Sequence, residues 1–222
     1  MSEPTGQMTM DDLPGRIPVF PLAGCILLPR GRLPLNIFEP RYLAMCHDTL
    51  ASHRMIGMVQ PTNPEAGGAR PELYRVGCAG RITSFTETDD ERYLITLTGV
   101  CRFSIRDEPP ASKSYRLAEV DYDAYAADLE PPRCCALDRA TLVPTLKTYF
   151  EIHGLTADWG AVEKCPGPTL VTSLSMICPF APSEKQALLE SRNMDERVDL
   201  FLALLDMGIH EGACDDHKGP CH

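Results

Sequence analysis

Along the first half of the chain apolar positions recur every second residue, and along the second half every third or fourth. The switch near residue 130 separates a strand-rich part from a helical part. The stretch from Ile17 to Tyr42, IPVFPLAGCILLPRGRLPLNIFEPRY, sets the character of the first part. Pro18, Pro21, Pro29, Pro34 and Pro40 each lack an amide donor and fix φ, so no long helix runs through it. Between the prolines lie three β-favouring runs, Ile17 to Phe20, Cys25 to Leu28 and Leu33 to Phe38. In the last, Leu33, Leu35 and Ile37 alternate with Pro34, Asn36 and Phe38, the period of a strand with one buried face. Strands broken so often by proline belong at edges and corners, of the kind that bend around a small barrel.

Pro40 suits the first position of a helix, and RYLAMCHDTLAS puts Leu43, Cys46, His47 and Leu50 along one face. Met55 to Gln60 reads as a short strand, and Pro61 to Pro71 as a loop. Leu73 to Phe85 and Tyr93 to Ile105 read as two long strands joined by the acidic hairpin TETDDE, with Gly99 at a bend. Tyr115 to Tyr122 is the last strand. Beyond Pro131-Pro132 the spacing becomes helical. Leu137, Leu142, Leu146, Tyr149 and Phe150 share one helix interrupted by Pro144, Thr156 caps a short helix, and Pro168 opens another. Ser183 with Gln186, and Asn193 with Glu196, read as capping boxes, the second leading into the amphipathic run Val198, Phe201, Leu202 and Leu205. The expected fold class is α+β, and the divisions are a disordered lead over 1–15, a β-barrel subdomain over 16–125, a helical bundle over 126–208 and a flexible tail over 209–222.

At 222 residues, 44% apolar and 23% charged, the chain has the make-up of a soluble globular protein with ample core. It contains no run of about 18 apolar residues and so no expected membrane span. Its polar, acidic start lacks the order of a secretion signal, which makes the cytoplasm the expected location. The net charge of −10 is uneven. Residues 1–125 carry 13 basic and 16 acidic side chains, and residues 126–222 carry 8 and 15. The charge of the second half argues against a basic face for a nucleic acid there, while Arg30, Arg32 and Arg41 in the first half leave room for a local basic patch. Ten scattered cysteines, several within apolar patterns, read as reduced.

Three separated stretches, in order, carry a resemblance. IPVFPL through LPLNIFEPRY, then LYRVGCAGRI with YLITLTGVCRFSI, then APSEKQALLESRNMDERVDLFLALL, resemble the Lon protease N-terminal (substrate-binding) domain family from about residue 16 to 207. The resemblance implies a PUA-like β-barrel (pseudobarrel) followed by a helical bundle. It also implies a stand-alone bacterial Lon-domain protein without the ATPase and Ser-Lys protease domains. No G-x-x-x-x-G-K-[ST], G-x-S-x-G, S-x-x-K or H-E-x-x-H is present, so neither ATP use nor peptide-bond cleavage is expected. No cofactor is expected.

The expected function is capture of exposed apolar segments of other proteins, unfolded or native partners, in association with proteolysis. RNA binding by a PUA-like module, and a small-ligand pocket between barrel and bundle, stand as alternatives. A weak homo-oligomer is a further open expectation. Phe38, Glu39, Arg41 and Tyr42 are the candidate peptide-binding residues: two aromatic surfaces, a fork donor for carbonyls and its carboxylate. The structural reading of the same residues is a tie between the first helix and the sheet. Arg30-Gly31-Arg32 reads either as a phosphate contact or as a solvated turn. The tail ligands Cys214, His217, Cys221 and His222 suffice in number for tetrahedral zinc but match no common finger. Cys134-Cys135 reads as an inert pair or a redox-active one.

Overall fold

A computed structural model of the chain describes residues 8–63, 70–110, 113–131 and 137–215. Six strands form one mixed sheet: β1 (Arg16–Pro21), β2 (Arg32–Ile37), β3 (Met55–Val59), β4 (Val76–Glu87), β5 (Tyr93–Asp107) and β6 (Arg116–Asp121). The spatial order is β2-β5-β4-β3-β1-β6, with β5 also pairing β6. Among the described strands β1 and β3 run parallel and the other pairs are antiparallel. The pairings therefore return on themselves through β5, β4, β3, β1 and β6. The closing β5–β6 contact covers three residue pairs and carries a register shift between Ile105 and Asp107. The expected barrel is thus a curled mixed sheet rather than a clean barrel.

Each of those five strands gives side chains to one buried cluster, which includes Ile17, Val19, Met55, Val59, Ala79, Cys101, Phe103, Ala118 and Val120. Phe103 fills the middle, and a Cβ built on Gly57 or Gly77 would stand 2.8 or 2.7 Å from its ring. Small residues at those positions leave the ring its space.

A second cluster joins the outer face of the sheet to the helices, through Ile37 and Leu97 of the strands with Leu27 beside them, and through Met45, Leu142, Leu146, Leu188 and Phe201 of the helices. The helices are α1 (Pro40–Leu50), then α2 (Arg139–Ile152), α3 (Trp159–Lys164), α4 (Gly167–Ile177), α5 (Pro182–Glu190) and α6 (Met194–Asp215). The last packs on α2, α4 and α5. Asp123–Leu129 forms a 3-10 segment between β6 and α2.

Several local expectations are corrected. The Cys25–Leu28 run is not a strand, yet Ile26, Leu27 and Leu28 are buried. This segment lies across β5, where Arg30 N–H donates to Gly99 O at 2.7 Å and Gly99 N–H to Gly31 O at 2.8 Å. Within the expected lead, Met10–Asp12 makes a 3-10 turn, closed by Thr9 N–H and Oγ1 donating to Asp12 Oδ2 at 2.9 Å each, and Leu13 is buried. Asp158, not Thr156, caps α3, accepting Ala161 N–H at 3.1 Å. Helix α5 begins at Pro182, one residue ahead of the expected Ser183 cap, because Glu184 reaches back to Ala181 N–H at 2.7 Å. Gln186 is drawn inward instead, to Val76 O and Gln60. Asn193 does cap α6, accepting Glu196 N–H at 2.9 Å. That helix runs to Asp215, past the point after Gly208 where the apolar period fades.

Candidate functional site

Helix α1 starts beside a cleft of about 380 Å³ bounded by β1, by Pro61, Arg70 and Pro71, and by residues 113–116 ahead of and into β6. Its apolar walls come from Val19, Pro21, Tyr42, Pro61 and Pro71. Strand β1 delivers Val19 and Pro21, and the antiparallel register Val19↔Arg116 sets β6 alongside. The prolines hold the backbone extended and leave those walls without amide donors.

Tyr42 is buried against Phe20, with ring centroids 4.3 Å apart and edge-to-face. Burial pushes its phenol up from the ordinary range. The Arg41 guanidinium stands 4.5 Å over the Tyr42 ring. Glu39 sits at the N-cap of α1 but caps no amide; it accepts Arg41 Nε at 2.9 Å and a second guanidinium nitrogen at 2.8 Å. The EPRY sequence thus folds on itself. Pro40 starts the helix, and Glu39 fixes the fork of Arg41 across it.

The opposite rim is also built of held cations. Lys113 Nζ and Tyr115 OH both donate to Asp48 Oδ2 at 2.8 Å. The Lys113 and Tyr115 bonds hold the Asp48 carboxyl below its usual range. Burial, and then Asp48, pushes the Tyr115 phenol up to about 12. Arg116 forks onto Glu108 at 2.8 and 2.6 Å and donates to Pro71 O at 2.6 Å, which ties Pro71 to β6. The cleft therefore presents apolar walls and fixed N–H donors. No histidine or cysteine is among its described lining residues. Such a surface holds a chain by apolar burial and donors to carbonyls.

Of the four residues singled out in sequence, Arg41 and Tyr42 line this cleft, and Glu39 holds Arg41. Phe38 does not line it. Phe38 is 61% exposed, with Arg92 5.8 Å from its ring centre. Sequence reasoning missed Lys113, Tyr115 and Arg116, which lie some seventy residues away along the chain; Lys113 and Tyr115 reach α1 by bonding Asp48, and no local signal marks them. In the Arg30-Gly31-Arg32 turn, Arg30 is not simply solvated: it donates to the carbonyls of Asp128 and Glu130. Cys134 and Cys135, His217, Cys221, His222 and the side chain of Cys214 lie outside the described residues. No helix among the described residues is long and apolar enough to cross a membrane.

The fold is that of the Lon N-terminal domain. It resembles the Lon N-terminal domain protein from Xanthomonas campestris, with a TM-score of 0.58 at 20% identity over 85% of this chain and 97% of that one. It also resembles the N-terminal domain of the Mycobacterium avium complex Lon protease, with a TM-score of 0.59 at 15% identity over 86% and 98%. The chain belongs to the ATP-dependent protease La (LON) substrate-binding domain family, whose model matches residues 16–207. Lon protease of Anaeromyxobacter dehalogenans is 24% identical over 88% of this chain, and Lon protease 2 of Myxococcus xanthus 26% over 91%. The chain spans about a quarter of the length of these relatives, 24% and 25% respectively. The matched domain is the substrate-binding one.

Proposed function

We propose that the domain recognises other proteins by capturing exposed, extended apolar segments in the Tyr42 cleft. Membership of a substrate-binding family over residues 16–207 is the observation that carries this reading. The cleft supplies a physical means: proline and aromatic walls for side chains, with Arg41 and Lys113 as donors to backbone carbonyls. Because these cations are already paired, their geometry is fixed before the segment arrives, so little ordering opposes binding. Phe38, exposed ahead of α1, adds an apolar contact. The curled sheet supports a PUA-like reading of the receptor, working in the cytoplasm with proteolysis as its context.

Contacts of this kind are weak and sequence-tolerant, with micromolar affinity, about −8 kcal/mol. Fluorescence anisotropy with a labelled, reduced and carboxymethylated polypeptide, and with its folded disulfide-intact form, tests the proposal. Binding of the unfolded form alone, weakened about tenfold by Arg41→Ala, is the expected result. Absence of binding to both forms rejects it.

A further inference from the structure

A second cavity, of about 440 Å³, lies between the sheet and the helices and shares no lining residue with the Tyr42 cleft. Arg30, Arg102, Arg192 and Arg197 all line it. Three of these are already engaged. Arg102 is paired with Asp128, Arg192 with Glu196, and Arg30 with two backbone carbonyls.

Arg197 differs. It is only 5% exposed, and its Nε donates to Leu188 O at 2.9 Å. Among the described residues its two terminal amines make no hydrogen bond and lie in no ion pair, yet neither is a buried atom left unpaired; they open onto the cavity, with Asp128 as the carboxylate that favours their charge. Burial, and then the neighbouring Arg102, pulls its guanidinium down to about 10, which leaves it fully charged near neutral pH. A guanidinium held through one nitrogen, with its other two open to the cavity, can take an anion there.

The rest of the lining fits one. The first turns of α4 and α6 both border the cavity, through Pro168 and Thr169 and through Met194 and Asp195. Both helices therefore turn their positive ends toward it. Thr172, itself 5% exposed, contributes a hydroxyl. The carboxylates that oppose an anion are Glu130 and Asp195, both exposed at the rim and screened by solvent, and Asp128, already neutralised by Arg102. Donors from a guanidinium, a hydroxyl and two helix ends suit a tetrahedral anion better than a flat carboxylate. The volume suits a molecule of metabolite size.

We propose that this cavity is a binding site for a small phosphorylated molecule, its phosphate oxygens taken by the terminal amines of Arg197 and the hydroxyl of Thr172. The site is independent of peptide capture at the Tyr42 cleft.

Calorimetric titration of the intact chain with inorganic phosphate and with pyrophosphate, at constant ionic strength, tests it, with succinate as the carboxylate control. One saturable site for phosphate or pyrophosphate, tighter than for succinate, is the expected result. Arg197→Met abolishes that binding, and Thr172→Val, which leaves the buried guanidinium in place, weakens it about tenfold. Should Arg197→Met fail to fold, Thr172→Val decides alone. No phosphate binding at millimolar concentration, unchanged binding in Thr172→Val, or equal binding of succinate overturns the proposal.

Discussion

Replacing Asp128 by alanine removes the counter-charge of the arginine that locks sheet to helices. The Arg102 side chain is 5% exposed and that of Asp128 11%. Arg102 donates to Asp128 three times, from Nε and Nη2 at 2.8 Å and from its backbone N–H at 3.0 Å. Its remaining amine reaches Leu189 O at 3.1 Å and Ser191 O at 2.5 Å, tying β5 to the end of α5. Asp128→Ala leaves a buried guanidinium without a carboxylate, a change that destabilises by about 3–5 kcal/mol. For a chain of this length each kcal/mol lowers Tm by about 2–4 °C, so a fall of about 6–20 °C is expected. The Arg16–Glu119 pair is the internal control, since its side chains are 58% and 47% exposed. Glu119→Ala is expected to change stability by about 1 kcal/mol or less. The double variant Arg102→Met/Asp128→Leu removes both charges and recovers most of the loss. Urea unfolding followed by circular dichroism measures all four proteins, with an unchanged m-value required for the comparison. A loss in Asp128→Ala no larger than in Glu119→Ala refutes the reasoning.

Other outcomes follow from single contacts. Gly99→Ala would set a Cβ 2.0 Å from Leu28 O and 2.8 Å from Leu28 C, both backbone atoms, so a loss of about 1–3 kcal/mol or more is expected in urea unfolding. Gln60→Leu deprives Gly24 N–H and Pro182 O of their partners, at 3.0 and 2.9 Å, and is expected to destabilise by about 1–3 kcal/mol for each group left bare. Burial raises the thiols of Cys46 to about 11 and of Cys101 and Cys178 to about 12. Groups raised on folding stabilise fully below their unfolded value near 9 and lose that contribution as pH climbs through the folded values. The urea midpoint is therefore expected to fall between pH 9 and pH 11, and these three thiols to resist iodoacetamide at pH 8 until the chain unfolds.

Periodicity was enough to reveal the strands and helices whose burial is one-sided. Leu33, Leu35 and Ile37 alternate because one face of β2 meets the core while the other is exposed. Pro40 marked the start of α1, and Asn193 the cap of α6. The pattern misled where burial has no regular backbone beneath it. Ile26, Leu27 and Leu28 read as a strand because they are apolar, but they are buried as an irregular segment across β5. Gln186 read as a capping residue because spacing alone cannot show that Gln60 and Val76 O wait for it in the core. Half of the cleft was legible because Glu39, Arg41 and Tyr42 are neighbours in sequence. The other half, Lys113 to Arg116, depends on the β1–β6 register. The buried Arg102 left a faint trace, a single cation within the apolar strand YLITLTGVCRFSI, whose partner Asp128 no local rule identifies.

The account turns on where a captured polypeptide touches this domain. Amide chemical-shift mapping during titration with a reduced, carboxymethylated polypeptide reads that location directly. Shifts are expected at residues 19–21, 41–43, 70–73 and 113–117, around the Tyr42 cleft. Shifts confined to the exposed faces of α2 to α6, or none at saturating polypeptide, would contradict it.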